Sequence, residues 1–228
     1  MLKKLLSVCL ALVCLFLLSA CATPPPADNG GNTGSTGNGP TAPHVVKSGT
    51  VEGCTIAWAI YSNGFFKLTG EGELKEIQSA VTGNDDRAWA EYIDDITSVE
   101  IGEGITGLSP YTFKGCTRLI DVVLPRSLTA LPSAVFENCT SLRTVRGGTS
   151  VTFIGDNAFA NCRVLMSVSV SPALREIEIG AFLNAAQNGL TLNVTGNQSD
   201  WQAARAAMTV ASGNDVFENA TLHYFPIS

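Results

Sequence analysis

Beyond residue 43 the side chains with the most informative chemistry are four cysteines, Cys54, Cys116, Cys139 and Cys162, and two histidines, His44 and His223. A zinc site wants four convergent ligands, often as close pairs, and the sequence has neither a C-x-x-C spacing nor a histidine near these cysteines. Asp85-Asp86 and Asp94-Asp95 could serve calcium as paired carboxylates. The D-x-D-x-D-G loop is absent, however, and the ends of a solvated helix account for them. Serines are abundant, but no G-x-S-x-G elbow occurs, and His44 and His223 lie near the two margins of the folded region. Gly102-Glu103-Gly104 and Gly147-Gly148 lack the strand–loop–helix setting and the lysine of a phosphate cradle. No catalytic residue, metal or cofactor is assigned on these grounds, and the reading is a binding module and not an enzyme.

The spacing of three of those cysteines leads to the elements that hold them. Cys116, Cys139 and Cys162 recur every 23 residues. Phe113, Phe136, Phe159 and Phe182 share the period of 23, as do Leu119, Leu142 and Leu165. So do Leu108, Leu131, Ile154 and Ile177, and Val99, Val122, Val145 and Val168. Four units result, starting at Ser98, Asp121, Thr144 and Ser167; the fourth has Ala185 in the cysteine position and extra residues before Leu190. A fixed period of this length is the mark of a solenoid. Each unit contains a short strand, such as Val122-Val123-Leu124, with alternate side chains pointing inward. A turn then sends the phenylalanine and cysteine back into the coil. One coil cannot bury its own apolar face, so neighbours must stack and identical residues form ladders. The compartment read below permits disulfides, and strand spacing brings the three cysteines within disulfide range. Ladder side chains point the same way, however, so buried free thiols are expected.

The units resemble the BspA-type leucine-rich repeat family. The resemblance is carried by Thr112-Phe113-Lys114-Gly115-Cys116-Thr117-Arg118-Leu119 and its copies, with Leu124-Pro125 after one of them. It is strong from Ser98 to Leu190 and weaker in the flanks; Gly147-Gly148, where the strand should be apolar, and the eroded fourth unit depart from it. Gly147-Gly148 should weaken or bulge the third strand. The implied fold is an α/β solenoid of about four leucine-rich repeats with short parallel strands. The implied role is that of secreted or surface proteins associated with adhesion to host matrix and to other cells.

Lys3 and Lys4 precede an almost entirely apolar stretch, Leu5 to Ala20, which reads as a secretory signal. Leu18-Ser19-Ala20-Cys21 resembles a bacterial lipobox, which implies diacylglycerol on Cys21 and cleavage before it. Ala22 to Pro43 is rich in Pro, Gly, Asn, Ser and Thr and suits a disordered tether. The formal charge of −6 and the absence of a basic patch speak against nucleic acid.

The expected organisation is a signal peptide over 1–20, a lipidated cysteine and tether over 21–48, an N-terminal cap over 49–97, repeats over 98–190 and a C-terminal cap over 191–228. In the first cap, Ile56, Trp58 and Ile60 alternate on a strand, Asn63-Gly64 makes a two-residue hairpin turn, and a helix runs from about Arg87 to Asp94, capped by Asn84 or Asp85. In the second, Ser199 opens a helix with Gln202 completing a capping box, and Thr221 to Tyr224 forms a last strand. Trp58, Trp89 and Trp201 are read as cap packing. The outward strand residues Ser98, Glu100, Asp121, Val123, Thr144, Arg146, Ser167 and Ser169 form the candidate binding face. The expected protein is a monomeric, lipid-anchored envelope protein, exposed at the cell surface. Its partners would be the membrane, through Cys21, and an unidentified protein or glycan, from host matrix or another cell. The rival reading is a structural envelope lipoprotein without a host ligand.

Overall fold

The computed structural model describes residues 42–74 and 85–225. The signal segment, Cys21, most of the expected tether and Asn84 lie outside the described residues.

Nine strands form one sheet, ordered as they occur in the chain. Strands β1 (Val45–Thr50), β2 (Ala57–Tyr61) and β3 (Phe65–Thr69) are antiparallel. Strands β4 (Ser98–Ile101), β5 (Asp121–Leu124), β6 (Thr144–Gly147), β7 (Ser167–Val170), β8 (Thr191–Thr195) and β9 (Thr221–Phe225) then add in parallel. The sheet is parallel because each coil makes one full circuit before the chain re-enters it. On another side of the coils, Ala130–Leu131, Phe153–Ile154, Glu176–Ile177 and Thr209–Val210 form a second, narrow parallel sheet.

The core lies inside the coils. Val99, Val122, Val145, Val168 and Leu192 make one buried row, and Leu119, Leu142, Leu165 and Leu190 another. The phenylalanines stack as offset rings: centroids are 5.7 Å apart for Phe113 and Phe136, 5.6 Å for Phe136 and Phe159 and 5.0 Å for Phe159 and Phe182. Each such pair contributes about 0.5–1.5 kcal/mol beyond the area it buries. The stack does not stop with the repeats. Trp89 lies on Phe113 at 6.2 Å, and Phe217 closes the far end at 5.4 Å from Phe182.

Polar ladders run beside the apolar ones. Asn138, Asn161 and Asn184 occupy one position in successive coils, each with positive φ (62°, 61° and 55°), where the first unit has Gly115. Asparagine tolerates this left-handed conformation. Its amide also bonds along the axis: Asn161 Nδ2 donates to Asn138 Oδ1 at 2.9 Å, and Asn184 Nδ2 to Asn161 Oδ1 at 3.2 Å. Gly147 ends β6 at φ 84°, where an added Cβ would lie 2.1 Å from the Leu124 carbonyl oxygen. Pairing survives toward β5 but covers only Thr144–Ser167 and Val145–Val168 toward β7.

The ends differ from expectation. Val45 to Ser48, assigned to the tether, belong to β1, because this segment finds hydrogen-bond partners on β2. The hairpin loop is Ser62-Asn63-Gly64, one residue longer than the two-residue turn expected. Gly64, at φ 80°, donates to Tyr61 O, and a Cβ there would strike the Asp95 carbonyl oxygen. In place of a helix from Arg87 to Asp94 there are successive three-residue turns, with only Ala90–Tyr92 as 3₁₀ helix. The reason is that Trp89 serves as the aromatic rung of a preceding coil, and this turn is shaped like those of the repeats. Helix α1 (Gln198–Ala207) is capped by Asn197, whose Oδ1 accepts from Asp200 N at 2.8 Å. Ser199 donates to that same oxygen, so no Ser199–Gln202 capping box forms. A short α2 (Asp215–Glu218) delivers Phe217. Buried Asn214 fastens this cap: Nδ2 donates to the carbonyls of Glu178 and Ala211, and Oδ1 accepts from Phe182 N.

Arg87 fastens the other end. Its guanidinium donates to Lys114 O at 2.8 Å, and its Nε donates to Asp85 Oδ1 at 2.8 Å.

Two predictions follow from these contacts. Phe136→Ala removes a rung packed on both sides, and urea denaturation should show it less stable by about 3–5 kcal/mol. The Arg87 hydrogen bond holds the Asp85 carboxyl below its ordinary range. A depressed native pKa stabilises the fold above the unfolded value, near pH 4, and that stability is lost as pH falls through the lower native value. Melting temperatures of the wild type and Asp85→Asn should therefore differ most at neutral pH and converge under acid.

Candidate functional site

Two arrangements carry the residues singled out in the sequence: the buried ladder and the outer face of the nine-stranded sheet.

The ladder is inward. Cys116, Cys139 and Cys162 are fully buried and unpaired. Cys139 Sγ donates to Phe113 O and Cys162 Sγ to Phe136 O, each at 3.1 Å. Each thiol thus ties one coil to the one before it. Burial pushes the Cys116 and Cys162 thiols up to about 12 and Cys139 well above its ordinary value. A protonated thiol is a poor nucleophile and a poor metal ligand, so this geometry suits packing. Among the described residues no group of three or more His, Cys, Asp or Glu side chains is placed to hold a metal ion.

The outer face consists of two rows. In the first, Phe65, Ser98, Asp121, Thr144, Ser167, Thr191 and Thr221 lie side by side. In the second, Ala59, Lys67, Glu100, Val123 and Arg146 are in register, and Ser169, Asn193 and His223 continue across the later strands. Lys67 and Glu100 form an ion pair at 2.7 Å, both more than a third exposed, so its contribution to stability is small. Thr144 Oγ1 donates to Asp121. Arg146 is exposed, and among the described residues it forms no ion pair. Val123, also exposed, lies between Glu100 and Arg146.

All eight outward residues read from the repeats lie on this one surface. The sequence reading omitted its margins. Phe65 and Lys67 come from the hairpin, and Thr191, Asn193, Thr221 and His223 from the C-terminal strands. The available signal was strand alternation: Phe66 and Leu68 are buried, which puts Phe65 and Lys67 outside. Their register with the repeats depends on pairing between β3 and β4, which the 23-residue period does not encode.

A model of the BspA-type leucine-rich repeat region matches residues 85–201, in six copies. No curated protein matches the sequence. Among solved structures, a leucine-rich repeat protein from Eubacterium ventriosum has 16% identity and a TM-score of 0.53, over 68% of this chain and 45% of that one. The present chain therefore spans less than half of that protein. A T. pallidum leucine-rich repeat protein has 20% identity and a TM-score of 0.41, over 69% of this chain and 79% of that one. A leucine-rich cell surface protein from Faecalibacterium prausnitzii has 18% identity and a TM-score of 0.37, over 81% and 55%. At 16% identity the likeness to the Eubacterium ventriosum protein is one of fold alone.

Burial predicts a graded thiol reactivity. In native protein at pH 8, a maleimide should label half-buried Cys54 well before Cys116, Cys139 and Cys162, and denaturant should equalise them. Peptide mapping of the labelled sites checks this; rapid labelling of Cys139 in the folded protein would contradict it.

Proposed function

This chain belongs to the BspA-type leucine-rich repeat family, and from that premise we propose that it is a binding module that presents its sheet face to a protein or glycan outside the cell. It has no chemistry of its own. A lipid on Cys21 holds it to the bacterial envelope, and the Pro/Gly/Asn-rich segment gives it reach. The apolar run before Cys21 supports this anchoring; no described helix is long and apolar enough to cross a membrane.

The observation that carries the reading is the continuity of the face. Its two rows cross β3 to β8 on strands whose inner sides are locked in the core, and β9 extends them at the C-terminal edge. A surface held this rigidly loses little conformational entropy on binding. Arg146 is its natural anchor: it is exposed and unpaired, and arginine is enriched at interface hot spots. The self-satisfied pairs Lys67–Glu100 and Asp121–Thr144 favour the rival reading, a structural envelope lipoprotein, because they leave fewer groups for a partner.

The test compares cells displaying the full chain with cells displaying an Asp121→Ala/Arg146→Glu double variant. Adherence to matrix-coated surfaces and to other cells should fall by about tenfold or more in the variant, as for loss of a hot spot. Equal adherence removes this face from the proposal. Protection of the chain from protease added to intact cells moves the structural reading ahead.

A further inference from the structure

A cavity of about 390 Å³ opens beside the β2–β3 loop, at the hairpin margin of the sheet face. Its size suits a small molecule. Val46, Ile60, Tyr61 and Tyr92 supply apolar and aromatic wall, and Asp95 and Arg118 also line it.

The charges are the informative part. Four ion pairs occur among the described residues: Lys67–Glu100, Arg87–Asp85, Lys114–Glu137 and Arg205–Glu218. Asp95 and Arg118 belong to none of them, although they carry opposite charges and border the same cavity. Arg118 makes one long contact, from Nη1 to the backbone carbonyl of Asp94 at 3.4 Å. Both residues are anchored through their backbones. Asp95 N donates to Tyr92 O at 2.9 Å, and its carbonyl oxygen abuts Gly64. Arg118 sits between Cys116 and Leu119, both fully buried rungs of the first repeat. The ring of Tyr92 is fixed against Trp58, at 6.0 Å.

We propose that this cavity binds a small zwitterion of the amino-acid or short-peptide class. Arg118 takes its carboxylate, for which a guanidinium fork is well suited. Asp95 takes its ammonium group, and an apolar side chain rests on Val46 and Tyr61. A molecule carrying both charges satisfies both unpaired groups at once, which a neutral sugar or a simple anion does not. The site adjoins the hairpin margin of the sheet face, where Tyr61 lies 5.4 Å from Phe65, but it uses neither Asp121 nor Arg146, so its test is distinct from that of the adhesion reading.

The experiment titrates the full chain with the dipeptide alanyl-leucine by protein-observed NMR or calorimetry, alongside its N-acetyl, C-amide and doubly blocked forms. Saturable binding is expected for the free dipeptide, weakened about tenfold by either block, as for loss of one charge-assisted hydrogen bond. Arg118→Gln should bind the free and amidated forms equally, and Asp95→Asn the free and acetylated forms equally. Both side chains are exposed, and unchanged melting temperatures verify that the variants fold. No saturable binding, equal binding of the doubly blocked peptide, or binding of a neutral hexose in place of the dipeptide overturns the proposal.

Discussion

Stacking of each coil on its neighbours is the constraint on which the rest of this molecule depends. A single 23-residue coil encloses too little volume to bury both faces of its own phenylalanine, so every ring needs another above and below it. The chain meets that need without interruption, from Trp89 through four phenylalanines to Phe217. Both caps are therefore aromatic as well as polar. They supply the rungs that the first and last repeats would otherwise lack.

The same stacking sets the polar chemistry. Tight turns at a common position require left-handed residues, and asparagine fills that position in three successive coils. Once stacked, those side chains bond along the axis. Two of the buried thiols, Cys139 and Cys162, do likewise, each donating to the preceding coil's phenylalanine carbonyl. Cysteine here is a small apolar residue with a weak donor, and buried Ala185 takes its position in the fourth unit. Burial keeps these thiols protonated and out of reach of oxidants.

Function is left to surfaces that stacking holds rigid. The outer sheet face presents short polar side chains at strand spacing, suited to an extended and adaptable contact. The cavity at the N-terminal end is of another kind: small, partly aromatic, and bordered by two charges of opposite sign.

Repetition made most of the fold legible in the sequence. Five positions in one 23-residue register determine the length of the coil, the inward row of each repeat strand and the buried position of the phenylalanines and cysteines. A residue that must face the core in every coil is constrained identically each time, so its type recurs. The ends lacked that signal. Trp89 lies 24 residues before Phe113, and Phe217 follows Phe182 by 35, so a search at fixed period passes over both. The sequence around Phe217, Val216-Phe217-Glu218-Asn219-Ala220, nonetheless copies Val135-Phe136-Glu137-Asn138-Cys139 with one change. Which residues outside the repeat rows share a site was decided by tertiary structure alone. Lys67 meets Glu100 through strand pairing, and Asp95 shares a cavity with Arg118 across a coil boundary. Exposed positions are free to vary from coil to coil, so their grouping leaves no period in the chain and exists only once the coils have stacked.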